Sequence, residues 1–469
     1  MEPADLTAVE QLHLLGNRSL SSRELLDACR KRAEATEPVV NALIDADWDR
    51  AGLLAGQLDS DPGLSADAPL RGLVIAHKNL LDTAGIRTTY GSPAFADHIP
   101  RQNHPLVDLM AAAGTVFVGK TNTPEFGAGS HTFNPVHGLT RNPWDPSRSA
   151  GGSSGGAAAA LACGSLSLAD GSDLGGSLRN PASFCGIVGF RPSAGTIPGF
   201  PPLDDRLRMP IEGPMARTVG DLDLLYGVML GLPTSIEARP PARLLVSHDH
   251  GDLPVDAAVR RVVAEAATAL EQAGWIVEES DPPVRGVDAC FEVLRTLGYA
   301  VRSAGLMDNE NVKATIRQEI REGLSLTEET VARAVAEENR LRAAWDRFLG
   351  PDDILLTPTS QVPPFPVGDE WVREVEGRSL DRYTDWMRSC SRLTVFAGPS
   401  ISIPAGWSDD GRVPIGIQLS GARNRDRRLL DVAASAEEVF AAGRRPPIDE
   451  LSATDPTTLP PGPLGPTGR

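Results

Sequence analysis

The chain has 469 residues, 41% hydrophobic and 23% charged, an ordinary composition for a globular enzyme. Its formal net charge of -17, from 45 Lys and Arg against 62 Asp and Glu, has the wrong sign for a phosphate-binding face and argues against a nucleic-acid partner. Five scattered cysteines, an odd number without metal-ligand spacing, argue against both a disulfide scaffold and a metal centre.

The first residues lack the basic and apolar regions of a secretory leader. No run reaches the roughly 18 apolar residues of a membrane span. A cytoplasmic location is expected, without a membrane partner. Helical spacing covers residues 6–15 and 22–36, the second opened by a serine cap with Glu24 in its first turn. Residues 70–76 form a short apolar run after Pro69, which predicts a buried strand. In the continuation of that run stands Lys78, one of only four lysines, with Lys31, Lys120 and Lys313. Residues 106–113 read as a helix and 115–118 as a strand. This alternation predicts an α/β sheet with helices on both faces.

The stretch 148–179 then sets two glycine-embedded serine clusters around an apolar, helix-like segment at 157–163. Glycine beside a serine lets backbone N–H groups approach a reacting atom. It also allows the unusual dihedrals that functional sites hold. Residues 184–190 are too apolar for this region to be a solvated linker. Beyond it, 218–230 reads as a helix capped by Thr218, 243–247 as a strand, 256–273 as an amphipathic helix and 275–279 as a strand. Residues 290–349 are helical and charged, with no strand candidate, and read as an inserted cap. Core strands are predicted at 353–357, 400–404 and 414–419, then a helix at 427–441. A disordered tail is expected over 454–469, which is rich in Pro, Gly and Thr.

Two motifs mislead. The run from Gly114 to Thr121 fits the phosphate-loop pattern G-x-x-x-x-G-K-[ST]. The residues between its glycines, Thr-Val-Phe-Val, prefer a strand, so Lys120 reads as structural and no nucleotide is expected. The run from Gly151 to Gly155 fits the nucleophile-elbow pattern around Ser153. It lacks the preceding strand, and no histidine follows His250 to act as base. A serine nucleophile needs a base within hydrogen-bond reach. Lysine can serve once burial lowers its pKa, and Lys78 at the end of a buried strand fits that need. The alternatives are a strand-end lysine reaching to solvent and thiol chemistry at Cys185.

Taken in order, Lys78, the segments 119–126, 142–156, 171–186 and 213–222, and Pro399 to Gly406 resemble the amidase signature family. The resemblance runs from the N-terminal helices to about residue 445 and is weakest over 234–350. It implies a single large domain over 1–450, a mixed sheet flanked by helices on both faces. Within it the signature core covers about 70–230 and a helical cap about 285–350, and 451–469 form the tail. It also implies Ser177 as nucleophile, Ser153 as a bridging serine in a cis peptide, and Lys78 as base. The oxyanion would meet the backbone N–H groups of Leu174, Gly175, Gly176 and Ser177. Substrate would lie against Gly127, Ala128, Gly129 and Ser130, within a wall drawn from 127–131, 199–209, 290–307 and 371–386. No metal or cofactor is implied. Family members commonly carry an acidic residue after the lysine, where this chain has Asn79. The implied activity is cleavage of C–N amide bonds in neutral, fairly hydrophobic small molecules, with esters and carbamates (urethanes) as further candidates. The enzyme would act as a monomer or homodimer; the alternative is an amidotransferase subunit working with partner chains.

Overall fold

The computed structural model describes every residue except 1, 62, 64–66, 198–203, 205, 234–235, 441–443 and 466–469. Helices α1 (Ala8–Gly16) and α2 (Ser22–Val40) each open on a capping box. The Thr7 and Ser21 hydroxyls accept from the N–H groups of Glu10 and Glu24, whose carboxylates accept from Thr7 and Ser21 N–H in return. α2 does not end at Thr36 but runs through Pro38 to Val40, and Asn41 closes it in the left-handed conformation.

Strand β1 (Leu43–Ile44) and helix α3 (Trp48–Ser60) lead to β2 (Val74–Lys78), buried at every residue. This strand starts later than its apolar run suggests. Residues 70–73 are used in a turn, where Leu70 and Gly72 N–H donate to Ala113 and Gly114 carbonyls. Helix α4 (Pro105–Ala112) crosses to the parallel neighbour β3 (Val116–Thr121), and a small hairpin follows, β4 (Phe133–Asn134) with β5 (Gly138–Leu139). Helix α5 (Gly155–Cys163) crosses to β6 (Leu168–Asp173), parallel to β2 on its other side. α5 is buried throughout, which its small residues permit. A Cβ on Gly156 would stand 2.3 Å from Asn122 N and 2.7 Å from Ala42 O, so only glycine fits where the helix meets the strand ends.

Next come α6 (Arg179–Cys185), β7 (Val188–Arg191), β8 (Ile211–Ala216) and α7 (Val219–Leu230), the last capped by Thr218 as expected. Strand β9 (Leu244–Val246), α8 (Ala257–Gln272) and β10 (Val277–Glu279) form a parallel unit. The helical cap comprises α9 (Val287–Ser303), α10 (Ala314–Leu324) and α11 (Glu328–Phe348). The chain returns through β11 (Ile354–Pro358), the hairpin β12 (Glu374–Val375) and β13 (Arg378–Ser379), and α12 (Arg388–Val395). It ends with β14 (Ser400–Trp407), β15 (Pro414–Gly421), α13 (Asp426–Phe440) and α14 (Ile448–Ala453).

Among the described residues the main sheet has eleven strands in the order β1-β3-β2-β6-β8-β7-β14-β15-β11-β9-β10. Parallel blocks at β3-β2-β6 and β11-β9-β10 flank an antiparallel centre, so the sheet is mixed. The cap docks through its own apolar cluster, in which Trp345 stacks on Phe396 at 4.7 Å and donates its indole N–H to Gly421 O at 3.2 Å. Within the expected tail, Asp455 caps a short turn at Pro456–Thr458, and Arg141 donates to Pro460 O at 2.8 Å. The end of the predicted helix at 441 and of the tail at 466–469 lie outside the described residues. Trp345→Ala should lower stability by about 3–5 kcal/mol, the usual cost of truncating a buried tryptophan, as measured by urea unfolding.

Candidate active site

Strand β2 delivers Lys78 at the carboxyl end of a parallel block, where open α/β sheets form their ligand crevices. The residue is 1% exposed, so the amine does not reach solvent. Its Nζ lies 2.8 Å from Ser153 Oγ, 2.9 Å from Ser154 Oγ and 3.0 Å from Ser172 Oγ, with Ser172 O at 3.4 Å. All four partners are neutral oxygens. Burial disfavours the ammonium and brings its pKa from 10.5 down to about 7, against the opposing pull of Asp173, Asp170 and Glu212. A neutral amine then has one lone pair to receive a hydroxyl proton and two N–H groups to donate to the other hydroxyls.

Two buried carboxylates fix the surroundings. Asp170 on β6 accepts the Lys78 backbone N–H at 2.9 Å, and its other oxygen lies 2.5 Å from His77 Nδ1. Burial opposes its charge, yet His77, the Lys78 N–H and Lys120 together hold it below the usual carboxylate range. Asp173, at the end of β6, accepts from Gly176 N–H at 2.9 Å and Leu178 N–H at 3.2 Å. It also accepts from Arg179 Nε at 3.0 Å and Nη2 at 2.9 Å, while Arg191 donates to its backbone oxygen at 2.7 Å. Burial again opposes the charge, but the two guanidiniums hold Asp173 far below its ordinary value. The loop carrying Ser177 is thus wrapped around a carboxylate.

Ser153 stands just before α5, and the Gly152–Ser153 peptide is cis. Hydroxyls clamp this loop: Thr132 donates to Gly151 O and Ser130 to Gly152 O, each at 2.8 Å. Ser154 N–H donates to Ser177 O at 3.2 Å, which ties the two serine loops together. Ser177 is partly exposed and lines the same cavity as Ser153, about 250 Å³ in volume.

Of the four expected oxyanion donors, Gly176 N–H is committed to Asp173, leaving those of Leu174, Gly175 and Ser177. Gly176 has φ 120°, and a Cβ there would stand 2.6 Å from that of Cys390. Gly127 and Gly129 line the cavity. Ala128 packs instead against a cluster with Tyr299, Val312 and Ile316, and Ser130 serves the clamp. Residues 199–203 and 205 of the expected wall lie outside the described residues.

The remaining expectations resolve on geometry. Asn79 is fully buried, donating to Thr89 Oγ1 at 2.7 Å and accepting from Thr89 N–H at 3.2 Å, so its amide serves the 88–91 turn. The phosphate-loop pattern is largely strand β3, and Lys120 donates to Leu81 O at 2.5 Å and Thr83 Oγ1 at 2.6 Å. Burial raises the Cys185 thiol well above 9.0, which removes it as a nucleophile. Among the described residues no cluster of His, Cys, Asp or Glu could hold a metal, and no helix is long and apolar enough to cross a membrane. Ser154, Ser172, Asp170 and Asp173 were missed by sequence reasoning. Asp170 was the detectable one, since a carboxylate in a core strand demands a partner just as Lys78 does.

A buried lysine amine thus stands among hydroxyls, beside a glycine-rich loop, at the strand ends of a mixed α/β sheet. The amidase family model matches residues 24–430, and the chain belongs to that family, the amidase signature enzymes; it is an amide hydrolase of this type. An acylamidase of Rhodococcus erythropolis is 32% identical over 469 residues, covering 95% of this chain and 98% of the relative. A glutamyl-tRNA(Gln) amidotransferase subunit of Thermus thermophilus is 33% identical over 476 residues, covering 92% and 97%. Among solved structures, an amidase aligns with TM-score 0.84 at 30% identity, covering 93% of this chain and 100% of that one. A 6-aminohexanoate cyclic dimer hydrolase aligns with TM-score 0.83 at 28% identity, covering 95% and 99%.

Asp173→Asn would strip two buried guanidiniums of their counter-charge. It should cost about 3–5 kcal/mol, the usual loss when one partner of a buried pair is removed, as read by chemical denaturation.

Proposed function

We propose that the chain hydrolyses amide bonds through an acyl-enzyme on Ser177, with Ser153 and Lys78 as its proton relay. The supporting observation is the 2.8 Å contact of Lys78 Nζ with Ser153 Oγ, in surroundings that bring the lysine to about 7. Neutral Lys78 takes the Ser153 proton while Ser153 takes that of Ser177, and Ser177 Oγ attacks the carbonyl carbon. The oxyanion is met by the N–H groups of Leu174, Gly175 and Ser177; loss of one such donor typically costs about 2.7–4 kcal/mol. As the tetrahedral intermediate collapses, Lys78 returns its proton through Ser153 to the leaving nitrogen. Water deprotonated by the same relay then attacks the ester carbonyl and releases the acid. Every step uses groups of this chain.

On the Phe291 and Met387 side of the attack point the wall is apolar. A Cβ on Gly175 would lie 3.0 Å from Phe291 Cζ and 3.4 Å from Met387 Cε, so these side chains cover the reacting loop. A hydrophobic group next to the scissile carbonyl suits this wall, and esters and carbamates share the same acyl chemistry. The expectation of a neutral substrate applies to this inner part only, because Arg295 and Arg302 line the same cavity. The 33% identity to an amidotransferase component supports a second reading, in which the chain works with partner chains. That reading predicts copurification with another chain and no anilide hydrolysis by the isolated protein.

Ser177→Ala should abolish release of para-nitroaniline from acyl anilides and labelling by a fluorophosphonate probe. Lys78→Ala should slow acylation by about 10²–10⁴-fold, the usual share of general-base catalysis, with unchanged circular dichroism; near-normal acylation would refute the relay. Because the reactive form is the neutral amine, single-turnover acylation should rise as pH passes about 7 and level off above it. A flat profile between pH 5 and 9 would assign the base elsewhere.

A further inference from the structure

Helix α9 forms one wall of the cavity with a single stripe, Phe291, Arg295, Tyr299 and Arg302, at spacings of 4, 4 and 3 residues. Phe291 packs over Gly175 at the reacting loop, which fixes the inner end of the stripe. Further out the chemistry changes from apolar to hydrogen-bond donors. Arg295 is buried, paired with Glu319, donates to the Tyr299 hydroxyl at 3.5 Å, and lies over the Tyr299 and Tyr383 rings at 4.9 and 5.0 Å. The Tyr299 hydroxyl, having accepted that bond, keeps its own proton to donate. The Tyr383 hydroxyl is buried with no partner among the described residues.

Arg302 is exposed at the mouth, its guanidinium 5.7 Å from the Tyr299 ring centre, and among the described residues no carboxylate pairs with it. At the inner end the balance reverses. Glu212 lines the cavity and sits opposite Ser172 in the β6–β8 register, hence on the same sheet face as a hydroxyl that holds Lys78. An anionic group is therefore disfavoured beside the relay and favoured at the outer wall.

We propose that Arg302, with the Tyr299 and Tyr383 hydroxyls, is an anion subsite, and that the preferred amide substrates carry a carboxylate there. This deepens the amide-hydrolase reading and rests on it. The helix supplies the spacing. The Arg302 guanidinium folds back over Gly298, where a Cβ would lie 3.3 Å from its nitrogens. Gly298 is 7 residues beyond Phe291, so at a rise of 1.5 Å per residue the anion sits about 10 Å from the reacting carbonyl. A medium-length α,ω-dicarboxylic monoamide, or an ω-amino acid amide of similar span, meets that requirement.

The test reads binding to the Ser177→Ala protein, so that it does not depend on turnover. Two matched pairs differ only in a terminal carboxylate. The first is the mono-para-nitroanilide of sebacic acid against decanoic para-nitroanilide; the second is the acetyl amide of ω-aminocaprylic acid against that of octylamine. In at least one pair the carboxylate member should bind about tenfold tighter, the scale of one charge-assisted contact, and the pair that does so identifies the acyl or the amine side. Adding Arg302→Gln should bring that ratio within about twofold of unity, and Arg302→Lys should restore part of it. Arg333→Gln, an exposed charge change on α11, should leave the ratio intact. Equal binding within both pairs, or a preference that survives Arg302→Gln, would overturn the subsite while leaving the relay untouched. Carboxylate preference without any wild-type turnover would sink the hydrolase reading instead.

Discussion

Withdrawing a lysine amine from water without giving it a carboxylate removes the stabilisation of its charge, and the site depends on that deprivation. Lys78 meets three hydroxyls and a carbonyl, and burial lowers its pKa to about 7. An amine that is neutral near physiological pH can accept a proton from an alcohol. The deprivation requires a strand covered on both sides. The parallel neighbours β3 and β6 hold β2 in place, and the small residues of α5 let that helix pack directly on the strand ends.

At Asp173, in the same cavity, the opposite solution is used. Asp173 is as buried as Lys78 yet keeps its charge, because Arg179 and Arg191 surround it and two backbone N–H groups point at it. The lysine is left poor in counter-charge so that it can titrate, and the aspartate is made rich in it so that it cannot. In the proposed mechanism the first group moves protons, while Asp173 holds the turn that carries Ser177. The arrangement has a cost, since Arg191 Nε and Nη2 are buried without hydrogen-bond partners among the described residues.

Much of the fold was legible in local chemistry. A serine cap with Glu24 in the first turn marked the start of α2, and Thr218 that of α7. The amphipathic spacing of α8 and of the charged cap helices was equally readable. Some strands were located but misplaced at their ends, as β2 begins where pairing with β3 begins and not where the apolar residues begin; β1, β6, β7 and β8 were not anticipated. The two-residue strands of the β4–β5 and β12–β13 hairpins are too short to carry a period. Asp455 capping and the Arg141 contact to Pro460 are relations that the Pro- and Gly-rich composition after residue 454 could not announce.

At the site, the residue types and their order along the chain pointed to a serine that acts with a lysine. That much needed only the scarcity of lysine, the absence of a late histidine and the glycine-serine spacing, because each is a property of the string. What the tertiary structure decided is which oxygens the amine touches, and that Gly176 N–H serves Asp173 and not the cavity. It also placed the donors of α9 and Tyr383 along a wall that begins at the reacting loop. Those relations join residues tens to hundreds of positions apart through strand register and helix packing. Burial and hydrogen-bond direction exist only once those elements meet, and they set both the proton affinity of Lys78 and the charge pattern of its cavity.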